Sequence, residues 1–551
     1  MHRLRSALFA FVFLHAVARA DYTTVINPQT TWGTWEGWGA SLCWWANVFG
    51  ARDNLADLVF TTNYVTLNGQ SLPGLGLNIA RYNAGGCNTN LISGSSIQFS
   101  ANMPDFKKIY GYWLNWLSSD PASANWDWSG DANQRTLLQK AKARGANLLE
   151  LFSNSPMWWM CYNANPSGAD NGANDNLQSW NYQTHAVYLA TVAKYASDHW
   201  GVTFDSVEPF NEPIATWWSV TGTQEGCHFA TGTQAAVIGY LRTELDNRGL
   251  NSTRVAASDE SYYDQATSTW NSFSATNRAQ IGEVNVHGYQ YGGGRRDLLY
   301  SAVAGHRLWN SEYGEGDGTG ISLAGNLNLD FRWLHPTAWC YWQPFDSGGW
   351  GLIQSNPGDN WIGSANPKYF VLAQYTRHIR PGMTIMDGGE GNTVAAYDAA
   401  ARKLVLVTMN YGTAQNITYN LAGFYKVAGP IRRWMTATGT GVKYAQSSNP
   451  SLNSQQFTVA FATNTIQTFE VQNVDLNPPP LLNGKLSSSN NQITLTWPLW
   501  TAGYKLYANS NLAVSSGWQL VTNLPSTNTG SFSVSLPSSK PGRQFFRLSN
   551  P

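Results

Sequence analysis

The residues of this sequence that could do chemistry are carboxylic acids placed after short apolar runs. Glu208 and Glu212 lie in "VEPFNEP" (207–213), and Glu312 lies in "LWNSEYG" (308–314). Two carboxyl groups that face one pocket can cleave a glycosidic bond, since one protonates the leaving oxygen while the other attacks or stabilises the anomeric carbon. A separation of roughly 5–5.5 Å gives retention of configuration and roughly 6.5–9.5 Å gives inversion. The sequence alone leaves both outcomes open.

Other acids lie close to similar runs, so residue type does not decide which two form the pair. The competing acids are Glu150, Asp205, Asp259, Glu260, Glu283, Glu315 and Asp317. Strand alternation gives Glu208 the same facing as Glu212, which would place Glu208 deeper in a barrel. Alternation also points the side chains of Asn211 and Glu212 to opposite faces of the strand. Both can therefore reach one pocket only if the strand ends or bulges there.

The runs that carry these acids belong to a pattern that recurs eight times. The eight runs are 36–45, 76–86, 147–160, 205–213, 254–261, 283–289, 307–314 and 338–345. Segments with apolar i, i+3, i+4 spacing lie between several of them, most clearly at 134–145 and 182–200. Eight alternating β and α units predict an α/β fold, a (β/α)₈ TIM barrel over 36–382, with its chemistry at the C-terminal ends of the strands.

The pattern changes after the barrel. Residues 383–474 alternate in polarity, as in "KLVLVTMNY", and predict a flanking antiparallel β-sandwich, to which 21–35 adds one or two strands. A proline-rich linker follows at 475–485, and a small extra C-terminal all-β domain is predicted over 486–551.

The N-terminus has the features of a leader. A basic start and an apolar run at 7–17 precede Ala18-Arg19-Ala20, which fits a cleavage site. We therefore expect 1–20 to be a signal peptide and the protein to be secreted and extracellular. In that oxidising setting, one or two disulfides are expected among Cys43, Cys87, Cys161, Cys227 and Cys340. Their wide spacing argues against a zinc site.

The composition points to a neutral polar ligand. Only 12% of residues are charged, the net charge is zero, and 13% are aromatic, with 26 Trp. Such a chain offers no basic surface for nucleic acid or an anionic membrane. Aromatic faces pack on the C–H side of a sugar while amides and hydroxyls bond its O–H groups. A polysaccharide or oligosaccharide substrate is expected, with no metal or other cofactor, and a monomer.

Polar and aromatic residues at the strand ends are the candidate substrate-binding residues. They are Arg81, Asn154, Trp158, Asn211, His287, Tyr289 and Trp342. Trp158 and Trp342 are predicted as sugar platforms because they follow strands. Three alternatives stay open: Arg81 could form a structural ion pair, His287 could stand behind the site, and Asn154 could brace its loop.

Several motifs together resemble glycoside hydrolase family 30, which consists of retaining (β/α)₈ glycosidases. They are "GLNIARYN", "EPFNEP", "LWNSEYG" and "YFVLAQYTRHIRPG". The further runs "GWGASLCWWA", "LNIARYNAGGC" and "SNSPMWWM" look like the branch that contains secreted endo-β-1,6-galactanases. The likeness covers about residues 22–474, and the last 66 residues lie outside it.

The resemblance implies a role for each matched residue. Glu212 would be the acid/base and Glu312 the nucleophile, with Asn211 bonding the sugar 2-OH. Arg81 and Tyr289 would hold the Glu312 carboxylate. Because Arg81 is a cation, it is expected to keep the pKa of Glu312 low. The implied activity is double displacement on β-1,6-galactan side chains of arabinogalactan.

Other functions compete with this one. The same fold could act on β-1,6-glucan, glucuronoxylan or a β-glucosyl or β-fucosyl substrate. A non-catalytic carbohydrate-binding protein is disfavoured because both carboxylates, Asn211 and Arg81 are present. An esterase is disfavoured because the sequence has no G-x-S-x-G elbow.

Overall fold

The structure is a computed structural model that describes residues 22–487, 489–538 and 543–549. The predicted signal peptide lies outside these residues. The chain forms two compact units. The first consists of residues up to Gly423 together with Ala428–Asn473, and the second of Phe424–Val427 together with the chain from Val474.

A closed barrel of eight parallel strands forms the centre of the first unit. Its strands, in chain order, are Gly37–Ser41, Ile79–Asn83, Leu148–Phe152, Ser206–Glu208, Arg254–Glu260, Ile281–His287, Arg307–Tyr313 and Ala338–Tyr341. Seven strands fall within the predicted runs, and the sixth, Ile281–His287, begins two residues before its run at 283–289. Each strand pairs with its sequence neighbours, the eighth with the first. The predicted TIM barrel is confirmed.

Helices follow the strands and form the outer layer. They are Trp45–Phe49, Asp53–Phe60, Ala132–Ala143, Tyr182–Tyr195, Thr231–Asn247, Tyr263–Ser272, Ala275–Gln280, Arg296–Ala302, Ile321–Leu329 and Pro367–Thr376. Single π-helical turns, Ala196–Trp200 and Asp330–Leu334, extend two of them. Short 3₁₀ turns lie at Asp105–Lys107, Trp158–Met160, Ser179–Asn181 and Pro357–Asp359. None of the helices in the described residues combines the length and apolar character needed to cross a membrane.

An antiparallel sheet and a smaller sheet, in which Tyr22–Val25 pairs parallel and Gln456–Phe461 antiparallel with the middle strand, form a sandwich beside the barrel. The larger has seven strands in the order Asn27–Thr34, Thr384–Asp387, Thr393–Asp398, Lys403–Asn410, Thr465–Val471, Ile431–Ala437 and Val442–Ser447. The smaller joins Tyr22–Val25, Gln415–Asn420 and Gln456–Phe461. Phe469 of the larger sheet packs on Tyr419 and Phe457 of the smaller, at centroid distances of 5.2 and 5.3 Å. These rings form the core between the two sheets.

The last barrel helix, Pro367–Thr376, attaches the barrel to the sandwich. The Gln374 side chain donates to Thr436 Oγ1 at 2.9 Å and accepts from Thr468 Oγ1 at 2.6 Å. Both threonines lie on the larger sheet, and all three residues are buried. A buried amide satisfied on both sides ties the two parts into one unit.

The second unit consists of small β-sheets and two 3₁₀ turns, Leu499–Thr501 and Ser515–Gly517, in its described residues. Lys426–Val427 pairs with Val474–Asp475. A four-stranded sheet holds Asn483–Ser487, Gln492–Pro498, Ser531–Pro537 and Ser526–Asn528, and a three-stranded sheet holds Gln519–Leu520, Lys505–Asn509 and Phe545–Ser549. Leu495, Trp497, Leu506 and Val534 form its small core. Residues 424–427, which interrupt the sandwich, belong to this unit.

Smaller elements decorate the barrel. They are the hairpin Tyr64–Leu67 with Gln70–Pro73 and a three-stranded sheet of Phe345–Asp346, Ile353–Asn356 and Trp361–Ala365. The expected disulfides do not form: all five cysteines lie among the described residues, and each is a buried free thiol. Burial raises the pKa of these thiols, with Cys227 at about 12, so they behave as small apolar core residues.

Candidate active site

A cleft of about 480 Å³ opens at the C-terminal ends of the barrel strands. Its walls are Asn211, Glu212, Trp217, Trp218, Ser219, 221–224, Tyr289, Glu312, Trp342 and Trp350. Five of the predicted site residues therefore meet in one opening: Asn211, Glu212, Tyr289, Glu312 and Trp342. We call it the catalytic cleft, because it holds the two carboxylic acids that the sequence singles out.

The end of the fourth strand explains how Asn211 and Glu212 can share the cleft. The strand stops at Glu208, since Pro209 has no N–H to continue the ladder. Glu212 then takes a left-handed backbone conformation, with φ +50°, and its N–H donates to the Asp259 carbonyl at 2.9 Å. Strand alternation no longer applies there, and the two adjacent side chains both face the cleft.

The two glutamates are close enough for retention of configuration. One carboxylate oxygen of Glu212, one of Glu312 and a ring nitrogen of His287 all lie within 4.8 Å of one another. Retention requires roughly 5–5.5 Å between the carboxyl groups, and inversion requires roughly 6.5–9.5 Å to admit a water. The spacing therefore fits a covalent intermediate on one glutamate.

Two donors fix the carboxylate of Glu312. Tyr289 Oη donates to Oε1 at 2.8 Å, and an Arg81 guanidinium N–H donates to Oε2 at 2.9 Å. Burial raises the pKa of Glu312, while His287 and Arg81 oppose that rise. The expectation of a low pKa is wrong in direction, because the carboxyl is only 4% exposed and desolvation disfavours its charged form.

Arg81 is fully buried and is shared among three acids. It also donates to Glu150 at 2.7 Å and to Asp259 at 2.8 Å. Although burial opposes the charged form, Arg81 and His287 lower the pKa of Asp259 to about 2. Arg81 thus forms structural ion pairs and also makes the predicted contact with Glu312, within one network.

His287 lies between the two glutamates and Asp259. Its Nδ1 is 3.2 Å from Glu212 Oε1 and 3.5 Å from Glu312 Oε1, and its Nε2 is 3.1 Å from Asp259 Oδ2. Burial disfavours the imidazolium, but the carboxylates of Asp259 and Glu312 outweigh it and raise the pKa of His287 well above its usual range. The ring is fully buried and stands behind the cleft.

The competing acids lie outside the cleft. Glu208 is fully buried below Glu212, and neither of its oxygens has a partner among the described residues. Burial, Asp259 and Glu150 raise the pKa of Glu208 well above its usual range, which favours its neutral form. Glu283 bonds Arg307 at 2.6 Å, and Glu315 bonds Lys368 at 2.9 Å.

One cluster among the described residues has the donor types of a metal site, and it is Glu212, His287 and Glu312. Arg81 and the imidazolium of His287 already supply positive charge to these carboxylates. A divalent cation would be repelled by both groups. The chemistry of the cluster fits proton transfer and nucleophilic attack better than metal binding.

Asn211 and Asn154 differ in what they can offer a substrate. Asn211 lines the cleft, and its Oδ1 has no partner among the described residues, so it is free to accept from a sugar hydroxyl. Asn154 is 1% exposed, and its backbone N–H donates to Asn83 Oδ1 at 3.2 Å. It lies beneath the surface, at the junction of the second and third barrel strands.

The structure does not support Trp158 as a sugar platform. Trp158 lies in a 3₁₀ turn, is 1% exposed, and donates its indole N–H to Asn88 Oδ1 at 2.7 Å. The chain turns back after the third strand and packs this ring in the core. Trp342 does line the cleft and packs edge-on against Trp44 at 5.0 Å.

Two exposed aromatic residues of the cleft wall, Trp217 and Trp350, were not among the predicted sugar platforms. Trp350 is 41% exposed, and Trp217, which the sequence left unassigned, is 46% exposed. Trp350 follows a Gly-Gly pair, five residues beyond the eighth run at 338–345, and no strand-end signal marks it. An isolated Trp in a glycine-rich loop is the signal that could have found it.

A (β/α)₈ barrel with two glutamates at this spacing defines a retaining glycosidase site. The family description that matches residues 21–310 is O-Glycosyl hydrolase family 30. An endo-β-1,6-galactanase from Hypocrea rufa is 56% identical over 465 residues, which cover 83% of this chain and 96% of that protein. The chain belongs to glycoside hydrolase family 30, and it is a glycoside hydrolase.

Solved structures agree with the fold. A conserved exported protein from Bacteroides fragilis superposes with a TM-score of 0.66 at 17% identity, over 82% of this chain and 100% of that one. The catalytic domain of xylanase C of this family, from Talaromyces cellulolyticus, superposes with a TM-score of 0.62 at 19% identity, over the same shares.

Proposed function

We propose that this enzyme is a secreted endo-β-1,6-galactanase that hydrolyses the β-1,6-galactan side chains of arabinogalactan. The observation that carries the linkage and the internal attack is the 56% identity to the Hypocrea rufa relative, over 96% of its length. The predicted leader at 1–20 supports export. Apart from the two glutamates, the cleft walls hold only aromatic, amide, hydroxyl and glycine residues, which supports an uncharged sugar chain.

The first half of the reaction forms a glycosyl-enzyme. Glu312 attacks the anomeric carbon with a carboxylate oxygen while the bond to the leaving oxygen breaks. Glu212 donates its proton to that oxygen, so that the leaving chain departs as an alcohol and Glu212 becomes a carboxylate. Tyr289 and Arg81 orient the attacking carboxylate, since they hold its two oxygens at 2.8 and 2.9 Å.

The second half restores the enzyme. Glu212, now ionised, takes a proton from a water, whose oxygen attacks the anomeric carbon and displaces Glu312 as a carboxylate. Two inversions give a product with the original β configuration. Asn211 is placed to accept from a hydroxyl of the reacting sugar, and Trp217, Trp342 and Trp350 offer faces to neighbouring sugars.

A substrate panel tests the linkage and the mode of attack. Purified enzyme is given de-arabinosylated arabinogalactan, linear β-1,6-galacto-oligosaccharides, pustulan and glucuronoxylan. We expect cleavage of the first two, with mixed short oligosaccharides and a β anomer as the first product by NMR. Cleavage of pustulan alone would reject galactan, and release of a single product size from chain ends would reject internal attack. N-terminal sequencing of exported protein should begin near Asp21.

The roles of the two glutamates are tested by substitution. Glu312→Gln should lose at least about 10⁴-fold in kcat while still binding oligosaccharide, since it removes the nucleophile but keeps its volume. Glu312→Gly with added azide should regain activity and form an α-glycosyl azide. Asp317→Asn, on the loop that follows the same strand and outside the cleft, is the matched control. Wild-type turnover by Glu312→Gln would exclude its role.

A further inference from the structure

A groove lined by tryptophans runs along the outside of the barrel, separate from the catalytic cleft. Two adjoining hollows of about 580 and 710 Å³ form it, and Ser119 borders both. Its aromatic members are Trp113, Trp116, Trp126, Trp128, Trp180 and Tyr195. No residue is shared with the walls of the catalytic cleft. We call this surface the aromatic groove.

One face of the helix Tyr182–Tyr195 forms the floor of the aromatic groove. Gln183, Val187, Thr191 and Tyr195 border it, and their spacing of four residues places them on one side of the helix. Twelve residues separate the first from the last, so the floor is about 18 Å long at 1.5 Å per residue. That length suits an extended chain better than a single small molecule.

The rings of the groove are held rigidly by one another. Trp113 stacks on Trp126 at 4.8 Å, Trp126 on Trp128 at 5.1 Å, and Trp128 on Tyr195 at 3.6 Å. The interplanar angles are 10°, 8° and 3°. A ligand that binds these rings would pay little side-chain entropy, because their orientation is already fixed.

Two further rings project into water from this rigid base. Trp116 is 49% exposed and Trp180 is 69% exposed. Trp116 rests on Trp159 at 5.7 Å, which is itself buried. Large apolar rings left exposed side by side on a packed base mark an interaction surface.

The charges of the groove indicate which ligand it fits. The hollow that holds Trp116 and Trp180 has no charged side chain in its walls, and its polar members are Ser118, Ser119, Asn181, Gln183 and Thr184. In the other hollow, Lys194 pairs with Asp198 at 2.5 Å and Arg248 with Glu244 at 2.5 Å. Hydroxyls, amides and aromatic faces with no unpaired charge suit a neutral sugar chain.

We propose that the aromatic groove binds a strand of the polysaccharide that the enzyme cleaves, as a second, non-catalytic surface on the catalytic unit. The identity of that polysaccharide rests on the proposed function. An enzyme that holds the polymer at two places raises the effective concentration of the polymer's other glycosidic bonds at the catalytic cleft. The groove then matters for long chains and not for short ones that span one site.

Binding is measured on the full-length chain carrying Glu312→Gln, so that the polymer is not cleaved. Affinity electrophoresis in gels containing de-arabinosylated arabinogalactan gives the apparent Kd. Adding Trp116→Ala and Trp180→Ala should weaken binding about tenfold, since two stacking faces are lost. Trp116→Phe with Trp180→Phe should keep most of the affinity. The matched control is Trp333→Ala, which removes a ring of the same 49% exposure elsewhere.

The outcomes separate this inference from the proposed function. If wild type cleaves galactan but the double Ala variant binds the polymer as tightly as its parent, the inference fails alone. If wild type cleaves no galactan, the proposed function fails, and the groove is then tested on the polymer that is cleaved. Sedimentation velocity tests whether a second copy of the chain occupies the groove instead. If wild type is a dimer and the double Ala variant is a monomer, the groove is a dimer interface and the proposal is overturned.

Discussion

At the scale of single residues, the catalytic cleft depends on one buried cation serving several acids. Arg81 contacts Glu150, Asp259 and Glu312, and of these only Glu312 reaches the cleft. The other two are fully buried, and their contacts fix the guanidinium plane. The nucleophile is thus held by a donor that has no freedom to turn away, which is preorganisation for attack.

Replacing Tyr289 by Phe isolates the second donor to that nucleophile. The loss removes a 2.8 Å hydrogen bond to Glu312 Oε1, a bond that favours the ionised carboxylate. The pKa of Glu312 should rise further, so the acidic limb of the kcat/KM profile should move to higher pH. We expect kcat to fall about ten- to hundredfold, as for one hydrogen bond to a charged group.

The control for this prediction is Tyr291→Phe. Tyr291 Oη donates to the Gly314 carbonyl at 3.4 Å and bonds no carboxylate. The acidic limb of the kcat/KM profile of Tyr291→Phe should lie at the same pH as that of wild type. An unmoved limb in Tyr289→Phe would mean that Tyr289 shapes the cleft without acting on Glu312.

The site residues that could be predicted are those marked by the ends of strands. Glu212 and Glu312 follow short apolar runs, and the barrel brings all such ends to one face. The same rule failed for Trp158, because the chain reverses after the third strand and buries the ring. It missed Trp350 because that residue lies on a loop whose path depends on contacts between distant segments.

At the scale of elements, the repeated run of apolar residues predicted all eight barrel strands. The two faces of each strand are covered, so the runs are continuous rather than alternating. Local pattern could not predict that Phe424–Val427 leaves the sandwich to join the second unit. Its partner, Val474–Asp475, is distant in sequence, and such a pairing carries no local signal.

The loop after the fourth strand forms one wall of the cleft, and Glu225 anchors it. This side chain is fully buried and accepts from the Gly86 N–H at 2.7 Å and from Asn83 Nδ2 at 2.9 Å. Both donors belong to the second strand and the loop after it. Burial raises the pKa of Glu225 to about 7, although these donors oppose the rise.

We predict that Glu225→Ala loosens this wall. Three buried donors lose their acceptor, the third being the Cys87 thiol at 3.3 Å, and the loss should cost about 3 kcal/mol of unfolding free energy. KM should rise more than kcat falls, because Trp217 and Trp218 are carried by the loop and the two catalytic glutamates are not touched. Urea denaturation and Michaelis–Menten kinetics measure the two effects.

Glu225→Gln serves as the matched control, since it keeps the volume and one acceptor oxygen. Its losses should be about half those of the Ala variant in both measurements. Equal losses in the two variants would mean that the charge of Glu225, and not its role as an acceptor, holds the loop. No loss in either variant would remove Glu225 as the anchor.

At the scale of the whole molecule, stability depends on pH through groups that folding buries. His185 lies on the helix Tyr182–Tyr195, fully buried, with Nε2 3.1 Å from the Pro209 carbonyl. The neutral ring donates its Nε2–H to this carbonyl, and Pro209 shortly precedes Asn211 and Glu212 in the chain. Burial lowers the pKa of His185 from 6.5 to about 4, because no carboxylate compensates for the lost hydration of the imidazolium.

His185 should therefore stabilise the fold at neutral pH and lose that effect on acidification. Between pH 6.5 and 4 the unfolded chain binds a proton at this residue and the folded chain does not, so the contribution is full above 6.5 and falls by about 3 kcal/mol down to pH 4. Urea denaturation of wild type and His185→Gln at pH 7, 5.5 and 4 should give a difference in unfolding free energy that becomes smaller as the pH falls. The control, Ala186→Gly on the same helix, changes no titratable group, so its free-energy difference should be the same at all three pH values. A constant difference for His185→Gln would mean that the ring binds its proton equally well in the folded and unfolded chains, and the neutral contact with Pro209 beneath the catalytic loop would have to be abandoned.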